Sequence, residues 1–119
     1  MSNTYSITSI DAITKIKFFM KPSFDEVKSV LDNIAKNHSY RKRLFDFSEV
    51  DIDFTTHELR SIAAYGKFKF TRKSKLAVYT VDDLSFGEMR QFEVYREEEG
   101  KAISGVFRTE QAAIEWLNK

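Results

Sequence analysis

Lys75-Leu76-Ala77-Val78-Tyr79-Thr80-Val81 is the run that decides the fold of this chain. Its apolar residues are nearly continuous instead of alternating, the pattern of a strand covered on both faces. Strands of that kind belong to parallel sheets, and parallel neighbours are joined by helices that lie on the sheet. The flanking sequence must therefore alternate between helices and strands.

Downstream, Asp82-Asp83 is followed by Ser85 with Glu88 three residues later, a capping-box spacing that opens a helix carrying Met89, Phe92 and Tyr95. That helix ends near Glu97-Glu98-Glu99-Gly100, and the stretch from Ala102 to Phe107 reads as the last strand. Thr109 then caps a helix with Ala112, Ala113, Trp116 and Leu117 on one stripe that closes over the sheet. Upstream, Thr55 and Glu58 repeat the capping box ahead of Leu59, Ile62 and Ala63, with Gly66 as the expected C-cap. Lys42 to Phe47 reads as a strand, and Ser23 with Glu26 opens a helix whose apolar face is Phe24, Val27, Leu31 and Ile34. At the start, the stretches from Tyr5 to Ile10 and from Ile13 to Phe19 flank Asp11-Ala12 as an antiparallel hairpin, with Ile16 and Phe18 facing the core. The expected fold is a single α/β domain over 1–119, in the order ββαβαβαβα. It has a mostly parallel mixed sheet of about five strands, an N-terminal β-hairpin and about four helices.

Composition agrees with one packed unit. The 119 residues fit one domain that buries roughly two-thirds of its unfolded surface. An apolar fraction of 42%, with eleven Phe, is far from that of disordered chains. Lysine and arginine number 19 against 18 acidic residues, a formal charge of +1, so there is no global attraction to nucleic acid or anionic membrane. The absence of cysteine excludes disulfides, thiol catalysis and thiolate metal sites, and suits a reducing compartment. No basic start with an apolar stretch marks a signal peptide, and no apolar run has membrane-spanning length, so the expected location is cytoplasmic.

The segments Leu44-Phe45-Asp46-Phe47-Ser48-Glu49-Val50, 75–83 and Phe86-Gly87-Glu88-Met89-Arg90-Gln91-Phe92-Glu93, with the closing stretch from Val106 to Leu117, resemble the SpoIIAA-like branch of the STAS domains. The resemblance spans almost the whole chain. It implies a STAS-like sheet flanked by helices, in a family of small bacterial proteins often of unassigned function, some associated with lipids or other apolar ligands. It implies no catalytic residues and no cofactor. Anti-sigma-factor antagonists of the STAS type carry a phosphorylatable serine after an Ile-Asp pair. Here Ile52-Asp53 is followed by Phe54, with Thr55 and Thr56 next, and these two threonines are the candidate phosphoacceptors. Their capping-box spacing assigns Thr55 a structural role instead.

His38 and His57 lack metal-ligand spacing. Asp46, Asp82 and Asp83 lie at strand ends, where open α/β sheets bind ligands, and are the candidates for a metal-dependent enzyme. No phosphate loop, nucleophile elbow or zincin motif accompanies them, so the expectation is a non-enzymatic binding module. Its ligand is an apolar or lipid-like small molecule held between helices and sheet, or a protein partner. The candidate contacts are Met89, Phe92 and Trp116 for an apolar pocket, and Arg90 and Arg108 for an anionic group. Lys67, Lys69, Arg72 and Lys73, interleaved with aromatics, are candidates for a peripheral membrane contact; nucleic acid is disfavoured by the balanced charge. A two-fold homodimer through the N-terminal hairpin at the sheet edge is the expected oligomer, if one forms.

Overall fold

The computed structural model describes residues 4–38, 40–69, 74–99 and 102–119, leaving aside the side chains of residues 67, 68, 96–99 and 102. The elements are β1 (Tyr5–Ile10), β2 (Ile13–Phe18), α1 (Phe24–Asn37), β3 (Lys42–Asp46), α2 (Thr56–Lys69), β4 (Ser74–Tyr79), α3 (Asp83–Glu99), β5 (Ala102–Phe107) and α4 (Glu110–Leu117). This is the ββαβαβαβα order expected above. The five strands lie side by side in chain order, β1-β2-β3-β4-β5. β1 runs antiparallel to β2, and the other neighbours are parallel.

Between β1 and β2 the chain turns on Asp11 and Ala12, both in the left-handed region with φ of 49° and 64°. This is the conformation that a two-residue hairpin turn needs to match strand twist, and it is strained for alanine.

Successive strands advance in one direction across the sheet, so crossovers of one hand place α1, α2 and α3 together on one face. The main core fills that interface. Ile16, Phe18, Phe45, Leu76, Val78 and Val106 of the sheet meet Val27, Val30, Ile34, Leu59, Ile62, Met89 and Phe92 of the helices. The opposite face belongs to α4, where Ile13, Leu44 and Ala77 pack with Ala113 and Leu117. β4 is thus buried from both sides, as its unbroken apolar run required. Gly105 makes room on the α4 side, since a Cβ there would stand 2.8 Å from the Phe107 ring and 3.4 Å from Trp116.

Helix starts follow the expected caps where their chemistry is unambiguous. Ser23 and Glu26 form a complete capping box. Thr55 Oγ1 accepts from Glu58 N at 3.1 Å while Thr55 N donates to Glu58 Oε1 at 2.9 Å. Thr109 accepts from Ala112 N.

Three expectations need correction. β4 stops at Tyr79, so Thr80 and Val81 are outside it, and Val81 is 49% exposed. Gly66 does not end α2, which continues to Lys69; Gly66 is buried within it, beside Leu31 and Ile62. α3 is capped by Asp82, whose Oδ2 accepts from Ser85 N at 2.9 Å, and the Ser85 and Glu88 side chains are turned to other partners.

Candidate binding surface at the strand ends

The carboxyl ends of β2, β3 and β4 lie at one end of the sheet, and the segments that leave them build a surface that combines hydrogen-bonded backbone with exposed apolar side chains. The 47–55 segment after β3 alternates in burial. Phe47, Ile52 and Phe54 are buried, whereas Glu49, Asp51 and Asp53 are exposed. Phe47 stacks on Phe18 with ring centroids 4.9 Å apart and planes within 5°. Apolar anchors of this kind hold a loop to the core.

Several of its backbone N–H groups have fixed partners as well. Phe47 N donates to Tyr79 O (2.8 Å) and Ser48 N to Asp46 Oδ1 (2.8 Å). Ile52 N donates to Ser85 Oγ (2.9 Å) and Phe54 N to Glu88 Oε1 (2.8 Å). Ser85 and Glu88 therefore tie this segment to the first turns of α3. The Ser85 backbone N–H, and after it the Ser85 hydroxyl, hold the Asp82 carboxyl below the usual carboxylate range. Burial pushes the Glu88 carboxyl up, against the pull of the Phe54 N–H. On the outside, Lys17 pairs with Glu49 at 2.6 Å and Lys21 with Asp53 at 3.1 Å. The Glu49 hydrogen bond is the main cause that raises the Lys17 pKa.

Against this braced framework stand Phe19 and Met20, 45% and 55% exposed beyond β2, and Val81 and Leu84, 49% and 77% exposed around the Asp82 cap. Leu84 occupies the first turn of a helix whose start is fixed by Asp82 and Ser85, so its side chain is presented in a defined place. The sequence reading missed these four residues. The available signal was the Asp82-x-x-Ser85 spacing, which moves the helix start back and puts Leu84 on its outer side.

The candidate residues are dispersed by the fold. Met89 and Phe92 are buried in the main core, while Trp116 lies across the sheet, tilted against Phe107 at 5.4 Å with Lys75 Nζ 5.1 Å above its ring. Met89 and Phe92 border one void in that core, and Trp116 is not part of its lining. Arg90 is on the outer side of α3, 3.8 Å from Glu93. Arg108 joins Asp83 at 2.6 Å and stacks 4.4 Å over Phe86, which links β5 to α3 near the candidate surface. Asp46, Asp82 and Asp83 do not converge. Asp46 is buried on the α4 side, 3.7 Å from Lys15, Asp82 caps α3, and Asp83 pairs with Arg108. Among the described residues no group of three or more His, Asp or Glu side chains is placed to hold a metal ion. Thr55 is engaged as a cap, and Thr56 begins α2 in an exposed position. Lys69 reaches Asp32 at 3.0 Å and lies over Tyr65. Tyr65 donates to the same carboxylate, which holds Asp32 below its ordinary range. Arg72, Lys73 and the Lys67 side chain lie outside the described residues. No helix among the described residues is long and apolar enough to cross a membrane.

Inside the main core, two apolar voids of about 20 Å³ each lie between helices and sheet, and both are bordered by Phe45, Ile62 and Phe92.

No family profile and no curated protein matches the sequence. Among solved structures, the chain is similar to an uncharacterized protein of the DUF3478 family from Shewanella loihica PV-4, described as having a SpoIIAA-like fold. The match covers 98% of both chains at a TM-score of 0.59 and 15% sequence identity. The chain has a SpoIIAA-like fold. At that identity the likeness concerns backbone architecture alone.

Proposed function

We propose that the chain is a non-enzymatic binding module that docks a protein partner on the strand-end surface, with Leu84 as the central apolar anchor. The observation that carries this reading is the 77% exposure of Leu84 on a helix start fixed by Asp82 and Ser85. A large apolar side chain fixed in an exposed position is suited to fill a pocket in a partner, the role that interface anchors play. Val81, beside the same helix start, and Phe19 and Met20, beyond β2, are further exposed apolar side chains at this end of the sheet, where open α/β sheets bind their ligands.

The alternative, an apolar or lipid-like molecule between helices and sheet, is less supported. Small-molecule pockets occupy roughly 300–1,000 Å³, whereas each void here has about 20 Å³, space for a single water.

A photo-crosslinking residue at Leu84, with one at Thr8 as control, tests the reading in cells. A protein captured from position 84 alone, whose affinity for the purified chain falls about tenfold or more with Leu84→Asp, is the expected result. Equal capture from both positions, or native mass spectrometry showing a stoichiometric apolar molecule and no protein partner, overturns it.

A further inference from the structure

The main-core face of the sheet carries a polar row near the amino ends of its parallel strands. The register sets Thr14 of β2 beside Arg43 of β3, Arg43 beside Leu76 of β4, and Leu76 beside Ser104 of β5. Ser74 lies two residues before Leu76, on the same face of β4. All five are buried, with Arg43 only 7% exposed. The hydroxyls of Thr14, Ser74 and Ser104 meet no hydrogen-bond partner within the chain. Each buried hydroxyl left in that condition is destabilising, and three in one layer of a small domain call for a common cause.

One of the two core voids lies over the middle of this row. Arg43, Phe45 and Leu76 form its floor, and Leu31 of α1, Gly66 of α2 and Phe92 of α3 stand over it. Thr14 and Ser104 flank that floor, each about 4.8 Å, one strand spacing, from a floor residue. Gly66 sits inside α2, where glycine lowers helix stability, and leaves the roof without a side chain at that point. Arg43 is engaged within the chain, and a guanidinium with five N–H donors serves more than one acceptor at a time.

We propose that this void binds a monatomic anion of the size of chloride, with Arg43 supplying the charge and Thr14 and Ser104 donating their hydroxyl hydrogens. The volume of about 20 Å³ admits one water-sized particle, which excludes phosphate, sulfate and carboxylates. The donors select for charge, because hydrogen bonds to an ionised acceptor are about twice as strong as those between neutral groups. Asp46, the buried acid of β3, is on the opposite face of the sheet and does not repel the ion at contact. The carbonyl end of α2 opposes an anion with about half a charge, less than the full charge of the guanidinium beside the void. This site lies in the core, apart from the surface around Leu84, and does not depend on what binds there.

Thermal unfolding in sodium chloride against sodium gluconate, at one pH and ionic strength, tests the site, since gluconate is too large to enter. The melting temperature is expected to rise with the logarithm of chloride concentration, by about 5 °C per tenfold above the dissociation constant. Thr14→Val keeps the shape and removes the hydroxyl, so the rise should begin at about tenfold higher chloride. Gly66→Ala, which places a methyl group at the roof, should abolish the chloride dependence, with circular dichroism checking that each variant is folded. A crystal grown in sodium bromide should show an anomalous peak over Arg43 and Leu76. Equal melting in chloride and gluconate, a chloride dependence unchanged in both variants, or bromide at the surface with none in the void, an adventitious ion only, would overturn the proposal.

Discussion

Ser85→Ala isolates the tie between the 47–55 segment and α3. Ser85 is 1% exposed, and its hydroxyl accepts the Ile52 N–H at 2.9 Å while contributing a hydrogen bond to the Asp82 carboxylate. Ile52 is itself 2% exposed, so after the substitution its N–H has no water within reach to replace the lost acceptor. A buried donor left unsatisfied costs about 1–3 kcal/mol, more than the net worth of the hydrogen bond. Taking about 2 kcal/mol, and about 4 °C per kcal/mol for a domain of this size, the melting temperature falls by about 8 °C. Ser85→Thr, which keeps the hydroxyl, should recover part of the loss. Thermal unfolding gives the global effect, and amide hydrogen exchange gives the local one: the Ile52 amide should exchange much faster in the variant while amides of β3 keep their relative protection. A melting temperature within a degree of the parent, with the Ile52 amide still slow, would show that the segment is held by its apolar anchors alone.

Ala12→Gly should stabilise the chain by about 1 kcal/mol, because glycine relieves the left-handed strain at the hairpin turn although it adds entropy to the unfolded chain; urea unfolding with no gain in midpoint contradicts this. Thr55→Ala, which removes the α2 cap, should cost about 1 kcal/mol and lower the melting temperature by a few degrees while leaving partner affinity intact. Stoichiometric phosphate on Thr55 or Thr56 in native cells, with binding abolished by Thr→Glu, would reverse that assignment. Glu88 gives a pH signature. Its folded pKa is raised chiefly by burial, so its contribution to stability is complete below the unfolded glutamate value and is lost as pH rises through the folded one. Glu88→Gln retains an acceptor for the Phe54 N–H, so the stability difference between parent and variant should change across that window and be flat elsewhere; a difference independent of pH refutes the burial argument. Leu84→Asp, at a 77% exposed position, should shift stability by less than about 0.5 kcal/mol, and a larger loss would mean that Leu84 is packed.

The fold was legible because its signals were local and concordant. The apolar run of β4, the boxes Ser23–Glu26 and Thr55–Glu58, and the hairpin around Asp11-Ala12 each follow from interactions spanning only a few residues. The start of α3 was not, because Asp82-x-x-Ser85 and Ser85-x-x-Glu88 both have capping spacing and only tertiary structure decides between them. The second pair lost because the backbone of 52–54 claims both side chains. Gly66 was misjudged for a related reason, since packing against α1 and β3 outweighs its weak helix propensity. The candidate surface was the least legible part: exposure of Leu84 and Val81 depends on where β4 stops, and residue type alone assigns both to the interior.

The strand order described above also bears on how the chain acquires its structure. Because every strand lies beside its predecessor in the sequence, no pairing waits for a distant segment, and each new strand finds its template already complete at the growing edge. Such an arrangement has low contact order for a parallel sheet and therefore favours rapid folding. During synthesis the β1–β2 hairpin would form first, each helix–strand unit would dock as it emerged, and α4 would close the exposed second face of the sheet last. Until α4 arrives, Leu44 and Ala77 remain uncovered. The interval before α4 docks is accordingly when this face of the sheet is most exposed to aggregation.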